Sequence, residues 1–103
     1  MLKLIIEYKF NEDFRSKSVR AKVLTQVLYY LKRFENNGMI LPNIILVGDI
    51  NECFVLHSND IVSYLDENIN WNIAPSEAHL HNPDLILKLS QDNNINPFHF
   101  QHR

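Results

Sequence analysis

Residues 2–10 alternate in character: Leu2, Leu4, Ile6, Tyr8 and Phe10 are apolar, while Lys3, Glu7 and Lys9 stand among the odd positions. A period of two marks a strand with one face in a core. Its other face then carries Glu7 and Lys9 about 7 Å apart, two residues of strand rise. A helical period follows. Val19, Val23, Leu24, Val27, Leu28, Leu31 and Phe34 recur at spacings of three, four and seven, which predicts a helix over residues 18–36. Ser16 or Ser18 is the N-cap candidate; Asn37-Gly38, with Pro42 beyond, is the stop signal. Next comes Ile44-Ile45-Leu46-Val47, a continuous apolar run that reads as a strand buried on both faces, as in parallel pairing. Strand, helix and strand in this order predict a parallel unit with a right-handed crossover.

The remaining elements must build around that unit. Gly48-Asp49-Ile50-Asn51 is rich in turn residues and precedes a strand over residues 52–57, so the two strands should form an antiparallel hairpin. Ser58-Asn59-Asp60 starts a short helix reaching about Glu67, with Ile61, Val62 and Leu65 as its apolar positions. Ile69, Trp71 and Ile73 alternate with polar residues, which predicts an extended segment packing Trp71 on the body. Pro75-Ser76 and Asn82-Pro83 are further helix starts, the second with Leu85, Ile86 and Leu89 as its apolar face. Residues 91–103 are expected to be a polar tail without regular structure, behind a single domain over residues 1–90. The fold class is α/β, a small mixed sheet flanked by helices.

Composition narrows the setting. A chain of 103 residues with 46% hydrophobic and 21% charged residues is one domain with a modest core. No apolar run approaches the ~18 residues of a membrane span, and Glu7 and Lys9 break the layout of a signal peptide. One cysteine, Cys53, cannot form an internal disulfide, which suggests a reducing cytoplasm; mid-strand, it is expected to be a small buried hydrophobe. The net charge of −2 hides an asymmetry. Residues 1–42 hold eight Lys and Arg against four Asp and Glu, and residues 43–103 hold two against eight. Between Phe14 and Phe34 there are six basic residues and no acid. A basic face for phosphate contacts and a merely solvated helix surface both fit that distribution.

Glu7-x-Lys9 at the end of an apolar strand, followed by Gln26-x-x-x-Tyr30 on the next helix, resembles the PD-(D/E)XK nuclease superfamily in its RecB-like branch. The resemblance covers roughly residues 2–49. Val19, Val23, Gln26 and Tyr30 fall on one helical line, expected along the edge facing the sheet. The resemblance implies a partial restriction-endonuclease-like core and magnesium-dependent hydrolysis of DNA phosphodiesters. Glu7 would be the metal ligand, with the Tyr8 carbonyl beside it. Lys9 would hold the attacking water, and Gln26 and Tyr30 would line the site. A carboxylate suits magnesium, a hard cation that lowers the pKa of its water. Arg15, Lys17, Arg20 and Lys22 would supply attraction to the DNA backbone independent of sequence.

The family also carries an Asp on the strand before Glu-x-Lys, and this chain has no room for one ahead of Met1. Three explanations are ordered by preference: the chain is the later part of a longer nuclease domain, a partner subunit or second copy completes the site, or Asp49 substitutes. Asp49 also has a simpler reading as a hairpin turn residue. Residues 41–98 are similar to the amino-terminal region of large bacterial restriction–modification polypeptides carrying an N6-adenine methylase, which again suggests a piece of something larger. The competing reading is a non-catalytic DNA-binding or subunit-interaction module in which Glu7 and Lys9 form an ion pair. A zinc site from His79, His81, His99 and His102 lacks paired ligands.

Overall fold

The apolar stripe forms one helix, α1 (Lys17–Asn36), and the other elements gather around it. The computed structural model describes residues 3–7, 16–48 and 52–101. Ser16 is the N-cap of α1, but its hydroxyl caps no backbone N–H; it lies 3.1 Å from the Ser18 hydroxyl instead. At the other end the stop signal works as a pair of reversed hydrogen bonds. Gly38 N–H reaches the Glu35 carbonyl at 3.1 Å and Met39 N–H the Phe34 carbonyl at 2.9 Å. This arrangement needs a left-handed residue at Gly38, where φ is +69°.

Nine residues of α1 are buried: Val19, Ala21, Val23, Leu24, Thr25, Val27, Leu28, Tyr29 and Leu31. At 100° per residue these go round most of the helix, which makes α1 a central element rather than a one-sided surface helix. Thr25 is accommodated because its hydroxyl donates to the Ala21 carbonyl at 2.8 Å.

The sheet has the order β1 (Lys3–Glu7), β2 (Ile44–Gly48), β3 (Glu52–His57) and β4 (Phe98–Gln101). β1 runs parallel to β2, from Lys3 opposite Ile44 to Glu7 opposite Gly48. β2 and β3 are antiparallel, as are β3 and β4. The described residues therefore make a mixed α/β structure. Ile45, Val47, Phe54 and Leu56 join the core cluster with α1. Ile44 and Leu46 are only half-buried, so β2 is not covered on both faces as its continuous apolarity suggested. Cys53 is likewise half-buried rather than a core residue. Its register partner Gly48 has no side chain to shield it.

The expected helix over residues 58–67 is instead two 3₁₀ turns, Ser58–Asp60 and Val62–Asp66. Ser, Asn and Asp favour such short turns over an extended α-helix. Ile61 and Leu65 are still buried, so the apolar anchors hold whichever turn geometry carries them. Residues 69, 71 and 73 are half-buried and their neighbours exposed. Trp71 packs on Tyr29 with ring centroids 4.9 Å apart. The two proline-led segments become a 3₁₀ turn, Pro75–Glu77, running into α2 (Ala78–His81), and then α3 (Pro83–Gln91). Asn82 does not cap α3 with its side chain. It turns back into the core, where Nδ2 donates to the Ala78 carbonyl at 2.8 Å and the Tyr29 hydroxyl at 2.9 Å.

The tail is the largest departure. Residues 91–101 do not trail away: Ile95 packs against the core cluster and β4 returns to the sheet beside β3. Phe98-His99-Phe100-Gln101 is itself a period-two sequence, which outweighs the surrounding Asn and Pro.

Candidate nucleic-acid interface

Glu7 ends β1 in register with Gly48, the last residue of β2. The parallel pairing thus brings the chain at Glu7 beside the residue preceding Asp49. Tyr8, Lys9, Arg15 and Asp49 lie outside the described residues, as does the Glu7 side chain. The acid–base pair and the Asp49 substitution therefore have a backbone setting and no described side-chain geometry. Among the described residues no group of three or more His, Cys, Asp or Glu is placed to hold a metal ion.

The described cations of the basic run go to different places. Arg15 is not described. Lys32 serves the fold: its Nζ donates to the Leu65 carbonyl at 2.9 Å and to Glu35 at 3.1 Å. It also stands 5.3 Å from the centre of the Trp71 ring, a cation–π contact. The others divide by helical angle. Lys22, Gln26, Tyr30 and Arg33 fall within about 80° of one another at 100° per residue. Lys22, Gln26 and Tyr30 are half-buried and Arg33 is exposed, so this line is a partly covered edge of α1. Tyr30 also rests against the core. Lys17 and Arg20 lie on the opposite flank.

Lys17 and Arg20 instead border a groove of about 300 Å³ between the first turns of α1 and the end of α3. Ala21, Leu24, Leu89, Ile95 and Pro97 supply its apolar lining, and Ser90, Asp92, Asn93 and Asn96 its polar lining. Asp92 is held in place from behind. Oδ2 accepts from the Tyr64 hydroxyl and Oδ1 accepts from the Asn94 N–H at 2.9 Å. Those bonds, Tyr64's first, keep the Asp92 carboxyl below the usual carboxylate range. Burial, followed by the hydrogen bond to Asp92, pushes the Tyr64 phenol up to about 12. This groove was not foreseen, because residues 91–97 read as an unstructured tail. The run of Asn and Asp opposite two helix cations was its only trace.

The chain matches no protein family, no curated protein and no solved structure.

Proposed function

We propose that this chain is a nuclease-like α/β domain of a bacterial restriction–modification protein that binds the DNA backbone. On this reading the pairing of β1 and β2 is the parallel unit of a partial restriction-endonuclease-like core. The observation that carries it is the register of Glu7 with Gly48 at the carboxyl ends of two parallel strands, where open α/β sheets bind their ligands. A helix joining parallel neighbours must bring the chain back along them, so α1 begins at that same end. Its first turns carry Lys22 on the flank away from Lys17 and Arg20. The phosphodiesterase chemistry is that implied by the Glu7-x-Lys9 resemblance. A single carboxylate holds magnesium weakly, so cleavage by this chain alone is expected to be feeble.

The test is retention of duplex DNA across a salt series, with a nicking assay in magnesium or manganese. Lys22→Ala should weaken retention and flatten its salt dependence by about one unit of slope. Nicking, where found, should vanish in Glu7→Ala. No retention of duplex at low salt refutes the reading.

A non-catalytic subunit-interaction module is the second reading, and the sheet favours it. Ile5, Leu46, Val55 and Phe98 lie in one register row across all four strands. Leu46 and Val55 are half-buried and Phe98 is 69% exposed. An apolar stretch from Leu46 through Val55 to an exposed Phe98 suits a protein partner. Concentration-dependent association that is lost in Phe98→Ser, with DNA retention absent, would favour this reading over the first.

A further inference from the structure

We infer that the groove between α1 and α3 is a binding site for a single nucleotide unit, its phosphate held by Lys17 and Arg20. The claim concerns a surface distinct from Glu7 and its register partner. It rests on the DNA-binding reading only in suggesting where such a unit comes from. A volume of about 300 Å³ lies at the lower end of small-molecule sites. That is the size of one nucleotide.

The lining divides as a nucleotide divides. Lys17 and Arg20 are three residues apart on one helix flank, so both reach one anion. They sit where the α1 dipole is positive, which favours a phosphate further. Ile95 and Pro97, both half-buried, supply the accessible apolar surface for the face of a base, over Leu24 and Leu89 buried beneath. Asn93 and Asn96 bring amides that both donate and accept, as the edge of a base requires. Ser90 donates its hydroxyl hydrogen to the Leu87 carbonyl at 2.8 Å, leaving its oxygen as an acceptor.

Asp92 gives the proposal a sign that can be checked. Its carboxylate belongs to the same lining, with one oxygen bonded to Tyr64 and the other to the Asn94 N–H. It cannot neutralise itself by taking a proton near pH 7, so it repels a bound phosphate. Removing its charge must therefore strengthen binding of an anion and weaken binding of a cation.

The experiment is a titration of the full chain in EDTA, followed by amide chemical shifts. The probes are deoxyadenosine 5′-monophosphate, a DNA tetranucleotide with and without a 5′-phosphate, and inorganic phosphate. Binding is expected to shift the amides of Arg20, Leu89, Asn93 and Asn96. The Lys17→Ala/Arg20→Ala pair should lower affinity about tenfold or more, the scale of one or two charge-assisted bonds. Asp92→Asn should raise it about threefold, with thermal melts showing both variants folded. Preference for the phosphorylated over the unphosphorylated tetranucleotide assigns a strand end as the source. Tight binding of the free nucleotide alone assigns a free metabolite.

Several results overturn the site. They are no binding of any phosphate probe at millimolar concentration, binding unchanged in the Lys17/Arg20 variant, inorganic phosphate binding as tightly as the nucleotide, or weaker binding in Asp92→Asn. Duplex retention that survives any of these results leaves the DNA-binding reading standing. Nucleotide binding without duplex retention removes that reading and keeps the groove.

Discussion

Replacing Tyr29 with Phe removes one oxygen from the middle of the fold, and the cost follows from what that oxygen does. Tyr29 is 1% exposed and Asn82 is 7% exposed. The hydroxyl donates to the Asn70 carbonyl and accepts from Asn82 Nδ2 at 2.9 Å. Asn82 has a second amide hydrogen, used on the Ala78 carbonyl at 2.8 Å. Phe keeps the ring and its contact with Trp71 at 4.9 Å, so packing changes little. One buried amide hydrogen is left facing a ring edge, at about 1–3 kcal/mol for an orphaned donor. The Asn70 carbonyl belongs to an exposed residue, so water replaces its donor and little is added. The expected loss is about 2 kcal/mol, a fall in Tm of roughly 10 °C for a domain of this size. Calorimetry and urea unfolding with an unchanged m-value measure it. Asn82→Ala removes both bonds and should cost more, while the double variant should cost no more than Asn82→Ala alone. A fall of less than about 2 °C at unchanged m would show that the hydroxyl is not the partner on which Asn82 depends, and would refute the reasoning.

Gly38→Ala should destabilise by about 1 kcal/mol through its φ of +69° alone, since no atom lies within 4 Å of the added Cβ; Gly38→Asn should cost less, by chemical denaturation. Asp92, with its carboxyl held low by Tyr64 and the Asn94 N–H, contributes stability that is full above the ordinary carboxylate pKa of about 3.9. That contribution is lost as pH falls through the lowered folded value, so Tyr64→Phe should flatten the acid limb of a Tm–pH profile. At the alkaline end the Tyr64 phenol, pushed up to about 12 by burial and then by Asp92, should cost stability as pH rises past about 10, because the unfolded chain ionises first. Phe54→Ala should cost about 3–5 kcal/mol, since the side chain is fully buried in the core; a cost under about 1 kcal/mol by urea unfolding refutes its core role.

Where an element's signal was local and repeated, it was legible in the chain. The stripe from Val19 to Phe34 repeats over about four turns and is followed by the stop at Gly38, and α1 runs from Lys17 to Asn36. The role of that helix was less legible. Its periodicity marks which residues are apolar, whereas Ala21, Thr25 and Tyr29 are buried because α2, α3 and the 3₁₀ turns pack on a second side. A small residue, a hydroxyl that bonds its own helix and a phenol with two partners all pass for surface residues in a periodicity count. Residues 58–66 show the converse limit. Their apolar positions were readable, but the choice between α and 3₁₀ turns rests on small differences in backbone hydrogen bonding that Ser, Asn and Asp tip.

The basic residues show why a charge run is weaker evidence than a spacing. Residues 14–34 contain six cations and no acid, yet one helix disperses cations in as many directions as it has faces. Lys32 bonds Leu65 and Glu35 and faces Trp71, Lys22 and Arg33 share one edge of the helix, and Lys17 and Arg20 border the groove. Angle along the helix decides this, and it is computable from residue numbers alone. What residue numbers do not supply is the opposite wall. Asp92, Asn93 and Asn96 come some seventy residues later, from a stretch whose polarity argues for a loop. It is ordered through Tyr64 and β4, and both contacts are non-local. A phenol–carboxylate bond across 28 positions leaves no periodic trace. The charge asymmetry between the two halves of the chain therefore has a local meaning: the basic half brings the cations to the groove, and the acidic half supplies the amides and the one carboxylate that face them.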